Sequence, residues 1–218
     1  MKPEPKICAV ITSADPEAIA AVAPLADLFE VRIDLIGADW QRIASRLPKP
    51  WIACNRCADE GGKWQGTEKE RIETLLGALD LGAAIIDLEL GTENLDTAVA
   101  MVKKQGSQCL LSFHSLVGTP LIETLRDIVN SQLAAGADIS KVATTALTPA
   151  DNLTVLQLIR DYPEHRIVSF AMGDSGLVSR VLCPLVGGGF TYAAIAPGRE
   201  SAPGQITVTG LRKIYELL

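Results

Sequence analysis

The chain has 218 residues, 48% of them hydrophobic and 5% aromatic, and its 20 Lys and Arg against 26 Asp and Glu give a formal charge of −6. That length supports one sizeable core within the range of single-domain α/β barrels. The acidic balance, the lack of a basic run and the few aromatics argue against nucleic acid as a partner, while a local arginine cluster can still receive a small anionic substrate. No apolar stretch reaches the roughly 18 residues of a membrane span. Residues 1–6 are short, charged and proline-containing, without the apolar core of a signal peptide. Five cysteines, Cys8, Cys54, Cys57, Cys109 and Cys183, are odd in number and three lie in predicted strands, so they read as reduced thiols of a cytoplasmic protein. Cys54-Asn55-Arg56-Cys57 has the spacing of a zinc or dithiol motif, but no second Cys/His pair completes a four-ligand set, and no metal is expected there.

Apolar runs predict strands over residues 7–12, 29–35, 51–56, 84–90, 108–114, 139–144, 166–172 and 191–195. Helical spacing fills most of the intervals. Residues 15–25 open with Asp15 as cap and Pro16 in the first turn. Residues 67–81 place Ile72, Leu75, Leu76 and Leu79 on one face, and residues 95–104, 121–135, 149–160 and 209–217 repeat the pattern, with a weaker helix over 175–185. Gly82, Gly106 and Gly136 stand where helix C-terminal stops belong. Eight strands alternating with helices predict a single-domain (β/α)8 barrel over residues 1–218. An open doubly wound sheet is the alternative, although Thr12-Ser13-Ala14-Asp15 stands where a dinucleotide fingerprint would follow the first strand.

In a barrel the chemistry belongs at strand C-terminal ends. Glu30, Arg32 and Asp34 alternate with apolar residues and so share one face of strand two. Asp87 and Glu89 do the same on strand four. Arg56 and Glu60 flank the end of strand three, followed by Gly61-Gly62; such a pair is as often a surface ion pair. The fifth run ends in His114 and the sixth holds Lys141. A buried lysine amine sheds its proton more easily than in water and can attack a carbonyl to form a Schiff base, while an imidazole moves protons near neutral pH. The bland readings are a snorkelling lysine and a hydrogen-bonded core histidine. Arg180 follows a glycine-punctuated turn and can clamp a carboxylate bidentately. Ser201-Ala202-Pro203-Gly204-Gln205 lies after strand eight, whereas Gly187-Gly188-Gly189 precedes that strand and reads as a turn.

Taken in order, these segments resemble the type I 3-dehydroquinate dehydratases. The matching pieces are Glu30-Val31-Arg32-Ile33-Asp34, Arg56 with Glu60-Gly61-Gly62, Asp87-Leu88-Glu89-Leu90, and Ser112-Phe113-His114 with Thr119-Pro120. Further along come Gly136-Ala137-Asp138-Ile139-Ser140-Lys141-Val142-Ala143, Met172-Gly173 with Gly176 and Ser179-Arg180, and Ser201-Ala202-Pro203-Gly204-Gln205. The resemblance implies a shikimate-pathway lyase without metal or cofactor, feeding chorismate and aromatic amino acid synthesis, that removes water from 3-dehydroquinate to give 3-dehydroshikimate. It implies that Lys141 forms the Schiff base, that His114 moves the protons, and that Glu60 orients and tunes the histidine. Glu30, Arg32, Arg56, Arg180, Ser201 and Gln205 match substrate-binding positions. A homodimer is compatible with it, and neither nucleic acid nor membrane is a partner. The chain departs from the usual pattern at Phe113 and Ser115, which alternation turns away from the His114 side, and at Cys54, where a hydroxyl residue is frequent. Two other readings share the barrel. A class I aldolase or transaldolase also uses a strand lysine but gives no role to Glu30, Arg32, Glu60 and His114 together. A non-catalytic module would predict loss of Lys141, His114 or Arg180, and all three are present.

Overall fold

The computed structural model describes residues 4–218; residues 1–3, half of the charged N-terminal segment, lie outside the described residues. Eight strands, β1 (Ile7–Ile11), β2 (Leu28–Arg32), β3 (Trp51–Cys54), β4 (Ile85–Glu89), β5 (Gln108–His114), β6 (Ile139–Thr145), β7 (Ile167–Met172) and β8 (Thr191–Ala194), form one sheet. Its order is β7-β6-β5-β4-β3-β2-β1-β8, and every ladder is parallel. Strands β2 to β7 therefore each pair with their predecessor in sequence and β8 returns to β1, the topology of a (β/α)8 barrel. The seam between β7 and β8 carries no ladder; there the main-chain N–H of Gly189 donates to the Ile167 carbonyl at 2.8 Å, so the barrel is nearly closed.

Strands apolar on both faces need cover on both faces. Leu28, Ile52, Ile85, Leu110, Ile139 and Val168 point inward and pack on one another as the barrel floor. Ile7, Phe29, Val31, Ile86, Leu88 and Leu111 point outward beneath the helices. Those helices are α1 (Pro16–Val22), α2 (Ile33–Ile36), α3 (Trp40–Ala44), α4 (Glu68–Gly77), α5 (Leu95–Lys104), α6 (Ile122–Ala134), α7 (Asp151–Asp161), α8 (Leu177–Leu182) and α9 (Val208–Tyr215). None is long and apolar enough to cross a membrane. Asp15 caps α1 by accepting from the Ala18 N–H at 3.0 Å, and Thr67 with Glu70 forms a reciprocal capping box on α4. Gly82, Gly106 and Gly136 stop their helices at φ of +80, +80 and +94°, where a Cβ would be strained.

The largest difference from the sequence expectation follows β2. That strand ends at Arg32 rather than running to residue 35, because Asp34 folds back to chelate the Arg32 guanidinium at 2.9 and 2.8 Å and its carboxylate also takes the Lys63 N–H. The chain then makes α2, a 3-10 turn and α3, none of which the pattern signals. The turns are too short for a readable period, and only Ile33, Trp40, Ile43 and Ala44 are buried in the core. Strand β3 likewise stops at Cys54, which leaves Arg56 on a loop. Helix α4 ends at Gly77, with a separate 3-10 turn over Leu79–Leu81. The weak helix over 175–185 resolves into α8 between two 3-10 turns. Helix α7 starts at Asp151, whose carboxylate accepts the main-chain N–H groups of Leu147 and Thr148. All five thiols are free, and only Cys57 is less than fully buried.

Candidate active site

Above the apolar floor polar residues point inward from β2, β4, β5 and β6, and parallel register brings neighbouring ones level. Ser112 on β5 sits opposite Lys141 on β6, and Cys54 on β3 opposite Asp87 on β4. Lys141 is 4% exposed. Its Nζ donates to Asp87 Oδ2 at 3.0 Å, lies 3.6 Å from Glu30 Oε1 and stands 4.4 Å above the centre of the Tyr192 ring. Burial lowers its affinity for a proton, as the sequence reading assumed. Asp87 and Glu30 outweigh that effect and hold Lys141 above the ordinary lysine value. The resting amine is therefore an ammonium, which corrects the expectation of a loosened proton.

Asp87 is also the hub for Arg56, whose Nη2 donates to Oδ2 at 2.6 Å, while the Ser112 hydroxyl donates to Oδ1 at 2.6 Å. Burial disfavours the Asp87 carboxylate, but Arg56 and Lys141 hold it ionised, well below the usual carboxylate range. Glu30, Cys54 and Asp87 offer three donor atoms within 4.8 Å of one another. Two cations already occupy Asp87 Oδ2, and a divalent ion would have to displace them.

His114 Nδ1 is 2.7 Å from Glu60 Oε2. With Glu60 ionised, Nδ1 carries the proton and donates it, which leaves Nε2 as the basic atom. Burial, with Arg56 and Lys141 nearby, pushes the imidazole well below its ordinary value, so His114 rests neutral. Burial raises Glu60 to about 7 against the pull of Arg56. Arg56 and Glu60, four residues apart, are 3.9 Å from each other. This is an ion pair inside the barrel mouth, not the surface pair weighed from the sequence.

Arg180 is 1% exposed and pairs with no carboxylate among the described residues. Its guanidinium lies 4.5 Å from the centre of the Phe170 ring, Nη2 donates to the Pro203 carbonyl at 3.3 Å, and Nε has no partner. Burial pushes it down to about 10. Behind it, Asn152 accepts the Ser179 N–H and donates to the Ser175 carbonyl, fixing the short helix α8. The loop after β8 folds over this side. Gln205 Oε1 accepts the Ser201 N–H at 2.8 Å, and the Gly173 N–H donates to Pro203 at 3.1 Å. Gly204, at φ +73°, lies so close to Gly173 that a Cβ would come within 2.3 Å of its carbonyl oxygen.

Every site residue inferred from the sequence, Glu30, Arg32, Arg56, Glu60, His114, Lys141, Arg180, Ser201 and Gln205, lines one cleft of about 130 Å³. Arg32 reaches it already chelated by Asp34, and Asp34 is not the third inward residue of a strand. A larger apolar groove between α1 and α3, about 490 Å³, contains no acid, base or nucleophile pair. Phe113 packs outward and the Ser115 hydroxyl donates to the Gly118 carbonyl, so both departures face away from the imidazole. Cys54 does enter the site, where its sulfur accepts from Arg56 at 3.3 Å. The sequence reading singled out Asp87 as an acid sharing a face with Glu89 and placed Ser112 within a matching segment, but assigned neither a role, and it did not mark Tyr192. Ser112 and Tyr192 follow the inward alternation without a charge to distinguish them.

The type I 3-dehydroquinase family model matches residues 7–218. A 3-dehydroquinate dehydratase of Dehalococcoides mccartyi is 40% identical over 211 residues, covering 97% of this chain and 95% of that protein. One from Methanosarcina barkeri is 36% identical, covering 88% and 86%. The crystal structure of 3-dehydroquinate dehydratase from Geobacillus kaustophilus matches with a TM-score of 0.88 at 28% identity, over 99% of this chain and 91% of the other. The chain belongs to the type I 3-dehydroquinase family, which makes it a hydro-lyase.

Proposed function

We propose that the protein converts 3-dehydroquinate to 3-dehydroshikimate and water in the shikimate pathway, through a Schiff base on Lys141. The observation that carries this reading is the shared cleft: an ammonium held by two carboxylates and a neutral imidazole held by a third line the same small volume. Replacing an ammonium and a ketone by a protonated imine and water leaves the charge at Nζ unchanged. Asp87 and Glu30 therefore face a cation before and after the bond forms, and no charge is created in the barrel. His114 Nε2, the basic atom of the cleft, relays the proton that the amine gives up in order to attack. It then takes a proton from the carbon beside the imine, and the electron pair moves onto nitrogen to give the neutral enamine. The imidazolium, steadied by Glu60, passes that proton to the departing hydroxyl, which leaves as water as the conjugated imine re-forms. Hydrolysis of that imine frees Lys141.

Arg180 supports the recognition half of the reading. A buried guanidinium with no anion is costly, and a substrate carboxylate supplies the bidentate partner. Glu30, Arg32 and Arg56 then face the ring hydroxyls. The Ser201–Gln205 loop closes over the bound ring and keeps water from the imine. The test is the growth of conjugated-enone absorbance when the purified protein meets 3-dehydroquinate. Turnover lost in Lys141→Ala supports the reading; an active Lys141→Ala variant sinks it.

A further inference from the structure

Among the described residues, Arg71 is the one fully buried arginine that the reaction does not use. It sits on α4, outside the barrel, and is 1% exposed. All five of its N–H donors are placed. Nε and Nη2 chelate Glu68 at 2.6 and 2.7 Å, Nη2 also reaches Thr92 Oγ1 at 3.1 Å, and Nη1 donates to the Asn55 carbonyl at 3.1 Å and to Glu89 Oε2. The other oxygen of Glu89 takes the Cys57 N–H at 3.1 Å and lies 2.9 Å from Arg56 Nη1. Arg71 and Glu89 thus tie three consecutive residues, Asn55 to Cys57, to strand β4.

Glu60 stands at the end of this tied stretch. The 3-10 turn Ala58–Glu60 closes through the N–H groups of Gly61 and Gly62, which donate to Ala58 and Cys57 at 3.0 and 2.9 Å. A Cβ on Gly62 would fall 1.9 Å from the Arg56 carbonyl oxygen, so the return of the chain is as tight as glycine allows. The position of Glu60 against His114 therefore depends on where Asn55–Cys57 is pinned. Buried ion clusters of this kind add little net stability over an apolar core, and their best-supported use is to fix one geometry.

We propose that Arg71, acting through Glu89, is a positioning residue for the dehydration: it holds the loop after β3 so that Glu60 meets His114 Nδ1. The proposal rests on the roles given above to Glu60 and His114. Lysine keeps the charge but offers three donors from a single point, so it cannot span Glu68, Thr92, Asn55 and Glu89 together.

The test has a readout that needs no substrate. The chain has two histidines, and the second, His165, is exposed, so ¹⁵N-imidazole NMR resolves His114 with His165 as internal control. Arg71→Gln and Arg71→Lys should both shift the His114 tautomer balance and titration while leaving His165 unchanged. Turnover should fall about 10²-fold in Arg71→Gln, the usual effect of an ångström-scale misplacement, and less in Arg71→Lys, with KM little changed. In a Glu60→Gln background Arg71→Gln should cost far less than in the native chain, because the two act on one contact. Native His114 signals in a folded Arg71 variant overturn the proposal, as does a turnover loss of equal size in both backgrounds. If Arg71→Gln fails to fold, Arg71→Lys decides. A native protein that leaves 3-dehydroquinate unchanged speaks against the proposed function, and the imidazole spectra still judge Arg71.

Discussion

Glu60→Gln separates the role of the carboxylate charge from that of its shape. In the native chain Glu60 accepts from His114 Nδ1–H at 2.7 Å, and burial raises its carboxyl to about 7. Lowering the pH through that value protonates Glu60, which becomes a donor to Nδ1 and moves the imidazole proton to Nε2, where the base is needed. The pair, not either residue alone, then sets an acid limb of kcat/KM near pH 7, with activity falling to about a tenth one unit below the midpoint and about a hundredth two units below. Glutamine keeps an acceptor but cannot ionise. The limb should move down toward the value of His114 itself, which lies well below an ordinary imidazole. The rate on the alkaline plateau should also fall, because the imidazolium formed in the reaction loses a charged partner. The difference between a charge-assisted and a neutral hydrogen bond, about 1–1.5 kcal/mol, is roughly a tenfold loss. Initial rates from pH 5 to 9 on both proteins measure this. An acid limb that stays at the native pH in Glu60→Gln refutes the reasoning.

His114→Ala should slow turnover by about 10²- to 10⁴-fold while imine formation persists, read by comparing steady-state rate with trapping; near-native turnover would make His114 a core residue. Arg180→Met should raise KM by about tenfold or more, the worth of a charged bidentate contact, and leave the melting temperature equal or higher because an unpaired buried cation is gone. A lowered melting temperature with native KM would contradict the substrate clamp. Gln205→Ala, which frees the Ser201 N–H, should raise KM, and hydrogen exchange over residues 201–205 should slow on adding substrate; identical protection with and without it refutes closure.

The barrel was legible because buried parallel strands are apolar on both faces and because Gly82, Gly106 and Gly136 mark helix ends. The stretch from Ile33 to Ala44 was not, since a side-chain chelate between Arg32 and Asp34 bends the chain where the pattern still alternates. Lys141, His114 and Arg180 stood out as reactive or charged groups within apolar or glycine-marked surroundings; register brings the first two together, and α8 carries Arg180 to the same cleft. The protonation of Lys141 was not readable, because it depends on Asp87 and Glu30 arriving from two other strands. Arg71 gave no signal at all: among Glu68, Lys69, Glu70 and Glu73 it looks like one more charge on a solvated helix.

The central claim is a covalent bond between Lys141 and the substrate ketone. Sodium borohydride added to the protein during turnover of 3-dehydroquinate, followed by intact mass and peptide mapping, tests it directly. The account predicts one reduced adduct per chain, mapped to Lys141 and absent in Lys141→Ala. Turnover with no adduct, or an adduct that persists on another lysine in Lys141→Ala, would contradict it.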